Sequence, residues 1–200
     1  MSREKEGYSV KVILIGDGGT GKTSLVNRFV HRKFSRLYKT TIGVDITPYQ
    51  ASLKDTGELV RFVLWDMSGQ THFERFRARF YTGTSGVLVV YDLTSASSYR
   101  NVQSWIKECI NNCRKTVPML IVGNKADLED LRIQHTRPPS SDSALPTINT
   151  SAKENWNVDK AFFSLFEAIV GKSLERVEDP IQPITAHVSY ESENNSKVVK

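Results

Sequence analysis

The sequence predicts an α/β domain on a mostly parallel sheet of six strands, with one antiparallel edge strand and helices on both faces. Three observations predict it. A short apolar run, residues 10–15, ends at Gly16 and leads into a helical pattern. Apolar runs then alternate with segments of helical period, as strands covered on both faces require. One pair of runs, 44–53 and 59–65, is separated only by Lys54-Asp55-Thr56-Gly57. That hairpin signal makes one strand antiparallel.

The elements follow in order. Residues 10–15 are nearly all apolar, as a buried parallel strand should be. A helix starts at Lys22, with Leu25, Val26, Phe29 and Val30 on its inner side. The alternating pair 44–53 and 59–65 follows, and 86–91 and 119–122 are two further buried strands. Between these two, Val102, Trp105, Ile106, Cys109, Ile110 and Cys113 recur at helical spacing. Trp105 reads as core packing rather than a ligand platform. Cys109 and Cys113 share the buried side as small apolar residues, with too few further ligands for a metal site. Residues 145–148 return to the sheet. Val158, Phe162, Leu165 and Ile169 mark the last helix, and Gly171 stops it.

Three segments lie outside this pattern. Residues 1–7 form an N-terminal extension to the domain, 8–172. Within 128–149, His135-Thr136-Arg137-Pro138-Pro139-Ser140-Ser141-Asp142 breaks any regular helix. A shortened or irregular element is expected there, with no ordered helix over 137–143. From 173 to 200 the chain carries Pro180, Pro183 and many Ser, Asn and Glu residues without helical period, which predicts a flexible tail.

Of 200 residues, 39% are hydrophobic and 24% charged, ordinary for a soluble globular protein. No apolar run approaches the ~20 residues that span a bilayer. The charged start, Met1 to Glu6, is no secretory signal, and Ser2 stands where myristoylation needs glycine. The net charge of +5 is modest, and a mostly solvated surface with no nucleic-acid partner is expected. A cytoplasmic setting fits.

Gly16-Asp17-Gly18-Gly19-Thr20-Gly21-Lys22-Thr23 matches a phosphate-binding loop, placed between a strand and a helix as that motif needs. Glycines let the backbone curl, so that N–H groups of Gly18, Gly19, Thr20, Gly21, Lys22, Thr23 and Ser24 can face phosphate oxygens. The helix N-terminus adds partial positive charge. Lys22 should reach the terminal phosphates, and the Thr23 hydroxyl should ligate Mg²⁺. This loop alone does not separate ATP from GTP.

Asn124-Lys125-Ala126-Asp127 follows the strand 119–122. The Asp127 carboxylate can accept from the ring N–H and exocyclic amine of guanine, donors that adenine lacks. Such a mismatch can discriminate by ~10⁴ or more. Lys125 can lay its stem along the base, and Asn124 can tie neighbouring loops.

With these two motifs, Thr41-Ile42-Gly43-Val44-Asp45, Leu64-Trp65-Asp66, Val90-Tyr91-Asp92-Leu93-Thr94 and Thr150-Ser151-Ala152-Lys153, residues 8–171 resemble the Ras superfamily of small GTPases, within it the Rab-like group. The resemblance implies that Ala152 offers its N–H to the guanine carbonyl, that Ser151 and Lys153 shape that loop, and that Phe34 stacks near the base. It implies that Thr41 ligates Mg²⁺ and meets the γ-phosphate, and that Asp66 holds the metal through water. Gly69 would bring its N–H to the γ-phosphate, and Gln70 would orient the attacking water; Gln70, Lys22 and Thr41 are the expected catalytic residues. The cofactors implied are Mg²⁺ and GTP or GDP.

No arginine reads as a built-in finger; Arg32 and Arg36 read as solvated loop positions. Effector, exchange-factor and activating proteins are expected at regions 35–47 and 67–82. There Phe73, Phe76 and Phe80 form a stripe with Arg75, Arg77 and Arg79 interleaved. The stripe packs on the core with wet arginines, or it is partly a partner surface.

Three features depart from the family pattern. Thr71 follows Gln70 where the family usually has Glu, the helix before the last strand is interrupted, and no cysteine follows Cys113. The last predicts no lipid anchor and recruitment to membranes only through a partner. A scaffold that holds nucleotide without turnover, or an ATP-dependent enzyme, remain as alternatives; Gln70 and Thr41 oppose the first and Asp127 the second.

Overall fold

The computed structural model describes residues 9–37, 40–70, 74–133, 145–177 and 186–188. β1 (Ser9–Ile15) runs through the glycine-rich loop into α1 (Lys22–His31). β2 (Val44–Leu53) and β3 (Leu59–Met67) form the hairpin, and α2 (Glu74–Arg77) continues into a 3-10 turn, Ala78–Phe80. β4 (Gly86–Asp92), α3 (Ala96–Asn112), β5 (Met119–Asn124), β6 (Thr147–Asn149) and α4 (Val158–Val170) follow. Two short strands, β7 (Leu174–Arg176) and β8 (Ala186–Val188), come last.

The strand order is β6-β5-β4-β1-β3-β2-β7, with β8 also on β2. β1 pairs in parallel with β3 and β4, and β4-β5-β6 continue in parallel. β2 is antiparallel to β3. Successive residues of β1 face opposite layers, so a continuous apolar run buries both sides. Val12 and Leu14 join Leu25 and Phe29 of α1 and Phe162, Leu165 and Phe166 of α4. Ile13 and Ile15 join Val102, Trp105, Ile106 and Cys109 of α3. Phe29 and Phe162 stack with ring centroids 4.2 Å apart. Each such buried side chain contributes ~1.5–3 kcal/mol.

The α/β class holds, and several expectations are corrected. Among the described residues the sheet has eight strands, not six, and β2 is not its edge. The segment read as a flexible tail from 173 supplies both added strands: β7 pairs with Ala51–Leu53 and β8 with Val44–Ile46. β7 is held by chemistry the reading overlooked. The Arg176 guanidinium donates to the Phe29 carbonyl (3.1 Å) and to Asp159 (2.9 Å), and lies over the Phe29 ring. The last parallel strand is Thr147–Asn149, slightly later than read.

Ile110 is 60% exposed, although it was placed on the inner stripe of α3. At 3.6 residues per turn it lies roughly 80° from the centre of that stripe, at its margin. Cys109 is buried, with its Sγ 3.4 Å from that of Cys113; both are free thiols. A 3-10 turn, Glu129–Leu131, follows β5. The expectation for 137–143 lies outside the described residues, as do those on Thr71, Phe73 and the N-terminal extension.

Candidate functional site

Because β1, β3, β4 and β5 are parallel, their carboxyl ends share one edge of the sheet, the usual place for a ligand in this class of fold. A cleft of about 740 Å³ opens there. Gly18, Gly19, Gly21, Lys22, Thr23, Ser24, Phe34, Thr41, Gly69, Gln70, Asn124, Lys125, Asp127, Ala152 and Lys153 all line it. Thr20, Asp66 and Ser151 lie buried behind that lining.

At one end the loop after β1 wraps the N-terminus of α1. Gly21 has φ +94°, and a Cβ there would run into the Asn124 amide. Thr20 Oγ1 donates to the Asp17 carbonyl at 3.0 Å. The Lys22 ammonium is buried and donates to the carbonyls of Gly16 and Asp17, both at 2.8 Å. Burial pulls its pKa down to about 8, against the opposing pull of Asp66 and Asp17. Gly69 sits so close to this loop that a Cβ would strike the backbone of residues 16–18. Its missing side chain is what lets that backbone approach the phosphate loop.

Three oxygen-bearing side chains converge beside Lys22. Thr23 Oγ1 donates to Asp66 Oδ2 and lies 3.0 Å from Thr41 Oγ1. Asp66 is buried, and its Oδ1 has no partner among the described residues. Burial raises its pKa to about 6, while Lys22 and the Thr23 hydrogen bond pull the other way. One carboxylate with two hydroxyls suits Mg²⁺, which takes few protein oxygens and completes its shell with water and phosphate. The orphaned Oδ1 is an acceptor such an ion would satisfy. Among the described residues no cluster of three His, Cys, Asp or Glu offers another metal site.

The opposite end is built on the loops after β5 and β6. Asn124 ties them as expected: its Nδ2 donates to the Thr20 carbonyl (3.0 Å), and its Oδ1 accepts from Thr150 Oγ1 and the Ala152 N–H (both 3.2 Å). Asp127 Oδ1 accepts from Ser151 Oγ at 2.6 Å, and Lys153 Nζ lies 3.6 Å from Oδ2. Burial pushes the Asp127 carboxyl up. The Ser151 hydrogen bond, its own backbone N–H and Lys153 outweigh that and hold it below its ordinary value. Lys125 takes a positive φ of 67° and pairs with Asp92 at 2.7 Å. Phe34 stands at the same end, with the Arg28 guanidinium 5.9 Å from its ring centre.

Two arginines here escaped the sequence reading. Arg28 of α1 donates from Nε to the Ala152 carbonyl and from Nη2 to that of Lys153, each at 2.8 Å. It thus pins the 151–153 loop to the helix that carries Lys22. Arg77 corrects the expectation of wet arginines, being only 2% exposed. Its guanidinium pairs with Glu108 of α3 through two bonds (3.0 and 2.9 Å) and lies 4.4 Å from the centre of the Trp105 ring. Its Nη1 donates to the carbonyls of Ser68 (3.1 Å) and Gln70 (2.7 Å).

Trp105 is core, as expected, yet its Nε1 also donates to Asp17 at 2.7 Å, and Asn101 reaches the other Asp17 oxygen at 2.8 Å. Nothing separates Arg77 from its neighbours Arg75 and Arg79 in sequence. Glu108, three residues after Trp105 beside the apolar stripe, was the one available signal. Arg32 is tied to Asp159 by paired 2.8 Å bonds rather than simply solvated, and Arg36 is exposed at the cleft mouth.

Comparison with known proteins agrees with this geometry. The Ras family model matches residues 11–171. The chain is 33% identical to the Ras-related protein Rab-10 of Caenorhabditis elegans, over 92% of this chain and 95% of that protein. It is 36% identical to the Ras-related protein YPTC6 of Chlamydomonas reinhardtii, over 81% of this chain and 76% of that protein. With the Ras-related protein RABG3a of Arabidopsis thaliana it shares 34% identity, over 84% and 85% of the two chains. A family match spanning most of the chain, and relatives aligned over 76–95% of their own length, place it in the Ras family as a Rab-like small GTPase, a GTP-binding switch protein.

Proposed function

We propose that the cleft holds GTP or GDP with Mg²⁺, hydrolyses GTP slowly, and uses the lost phosphate to release two loops that partners read. The observation that carries this is the 3.0 Å approach of Thr41 to Thr23, beside the orphaned oxygen of Asp66. It draws the loop before β2 onto the phosphate loop at the point where a metal-bound γ-phosphate belongs.

Lys22 would exchange its carbonyl partners for phosphate oxygens. N–H groups of Gly18 to Ser24 would line the phosphate chain, and Asp127, held ionised by Ser151 and Lys153, would accept two bonds from guanine. Phe34, Asn124, Lys125 and Ala152 shape the base site. Thr23 and Thr41 would hold Mg²⁺ directly and Asp66 through water; when bound, the ion supplies neutralisation of charge on the phosphate oxygens. Thr41 and Gly69 would meet the γ-phosphate, and Gln70 would orient water in line with it.

Arg32 is committed to Asp159 rather than to the phosphate end of the cleft. Turnover on the order of 10⁻⁴–10⁻² s⁻¹ is expected, raised by an activating protein. Loss of the γ-phosphate would free 35–47 and 67–82 together. Exposed Leu37 and Ile42, and the aromatic group Trp65, Phe76 and Phe80, supply the apolar contacts effectors and exchange factors would use. The Rab relatives support a role in vesicle traffic, with recruitment to membranes through a partner. No helix among the described residues is long and apolar enough to cross a membrane.

One experiment tests this: identify the nucleotide carried by the purified chain, then follow a single turnover of GTP. Bound GDP with slow hydrolysis is expected. Unaided turnover above ~1 s⁻¹ would overturn the need for an activating partner. Bound GTP without hydrolysis would make the chain a scaffold, and adenine nucleotide would sink both readings. Asp127→Ala should abolish guanine preference; undiminished discrimination against ATP would remove Asp127 from its role.

A further inference from the structure

Asp17 places a carboxylate inside the glycine-rich loop, where it would repel a polyphosphate if it faced the cleft. Its side chain turns to α3 instead. Trp105 Nε1 donates to Asp17 Oδ1 at 2.7 Å, and Asn101 Nδ2 donates to Oδ2 at 2.8 Å. Asn101 and Trp105 stand four apart on α3, the spacing that puts two side chains on one face of a helix. Each carboxylate oxygen thus has its own donor, and bonds to an ionised acceptor are short and strong.

The backbone of the same residue serves the cleft. The Asp17 carbonyl accepts from Lys22 Nζ at 2.8 Å and from Thr20 Oγ1 at 3.0 Å. Gly69 also packs on it: a Cβ there would come within 2.4 Å of the Asp17 carbonyl carbon and the Gly18 nitrogen. Holding the Asp17 carboxylate therefore fixes this turn of the loop against both Lys22 and the segment that leads to Gln70.

The indole makes a second contact. Trp105 is 7% exposed, and the centre of its ring lies 4.4 Å from the Arg77 guanidinium, which donates to the carbonyls of Ser68 and Gln70. One edge of the ring grips the glycine-rich loop, and one face carries the anchor of residues 68 and 70. A buried indole N–H needs a partner, and here the partner belongs to the cleft.

We infer that Trp105 is a positioning residue for GTP hydrolysis: its indole N–H, with Asn101 beside it, clamps Asp17 and holds the glycine-rich loop in register with the segment that carries Gln70. Trp105 does not line the cleft and acts through Asp17. A misplacement of ~1 Å caused far from the chemistry can cost about 10²-fold in rate. That Gln70 orients water rests on the function proposed above; the clamp on Asp17 does not.

The test follows a single turnover of GTP by the full chain. Trp105→Phe removes the N–H and leaves an aromatic ring for Arg77. It should slow hydrolysis at least about tenfold, while GDP affinity stays within about threefold. Asp17→Ala should slow it as well, and the double variant should be no slower than the slower single, since both remove one interaction. The chain has three tryptophans, so the Trp105 indole N–H resonance is the one missing from the spectrum of Trp105→Phe. Its hydrogen exchange should be at least about tenfold faster in Asp17→Ala than in the unaltered chain. Should Trp105→Phe not fold, Asn101→Ala, a change at an exposed position, should still slow hydrolysis at least about threefold.

Hydrolysis by Trp105→Phe, or in its place by Asn101→Ala, at the unaltered rate would overturn the role. Losses that multiply in the double variant, or indole exchange that ignores Asp17→Ala, would do the same. No turnover by the unaltered chain would overturn the hydrolysis proposed above together with this role. Normal slow turnover that Trp105→Phe leaves unchanged overturns this role alone.

Discussion

Arg77 carries more contacts around the phosphate end of the cleft than its sequence position suggests. It joins the carbonyls of Ser68 and Gln70 to Glu108, above Trp105, which in turn holds Asp17 of the phosphate loop. Removing one member of a buried pair leaves the other charge uncompensated, at a cost of ~3–5 kcal/mol, whereas replacing both by apolar groups is often neutral. Arg77→Met should therefore lower the denaturation midpoint of the GDP-bound chain sharply, and Arg77→Met with Glu108→Leu should recover most of the loss. Additive losses would mean that the pair is not the dominant interaction. The single variant should also slow GTP hydrolysis, because the backbone that carries Gln70 loses its anchor.

Two buried ionisable residues set a pH dependence of the nucleotide-free chain. Asp66 has its pKa raised to about 6, so between its unfolded value of 3.8 and 6 the folded state binds more protons. Stability from this group is thus lost as pH rises across that window. Lys22, lowered from 10.5 to about 8, binds fewer protons when folded, and stability from it returns as pH rises from 8 to 10.5. A minimum near neutrality is expected from the two together. With nucleotide and metal removed, Asp66→Asn should gain on the unaltered chain in melting temperature between pH 4 and pH 7, by an amount that grows with pH. A constant difference would refute the assignment.

Among the elements, those with a clean period were legible from the residues. α1 and α4 announce their inner faces, and the sheet between them is read correctly as buried on both sides. Phe162 shows why this layer matters to the site. It stacks on Phe29 of α1, and Phe29 is fully buried between α4 and the sheet. Phe162→Ala should cost ~3–5 kcal/mol in unfolding free energy. It should also weaken GDP binding modestly, since α1 carries Lys22 and Arg28. Denaturant titration of the GDP-bound chain measures the first and nucleotide titration the second. Ile110 marks where period reasoning gives out: at the margin of a stripe, whether a residue is covered depends on what packs beside the helix. β7 was missed because three residues are too few to show a period, and β8 because the alternation over 184–190 was outweighed by its proline and polar neighbours.

Across the whole molecule, the parallel order of β1, β3, β4 and β5 brings the ends of four strands to one edge and so gathers residues from Gly18 to Lys153 around a single cleft. The same sheet carries the tail along β2, so that the last described residues lie near residues just after Thr41. Residues 174–176 and 186–188, read as part of a flexible tail, instead pair with the hairpin strand β2.

Sequence alone determined the family, the order of strands and helices through α4, and many of the residues lining the cleft. Short motifs and strong periods encode these locally, since backbone curl at glycine, donor and acceptor chemistry, and apolar spacing are properties of adjacent residues. Tertiary structure decided the rest. It buried Arg77 against Glu108, placed Arg28 behind the base loop, left Asp66 Oδ1 without a partner, exposed Ile110 and laid the tail on β2. Each of these depends on groups far apart in the chain meeting in space, and no local pattern records which charge, carbonyl or strand edge will be waiting there.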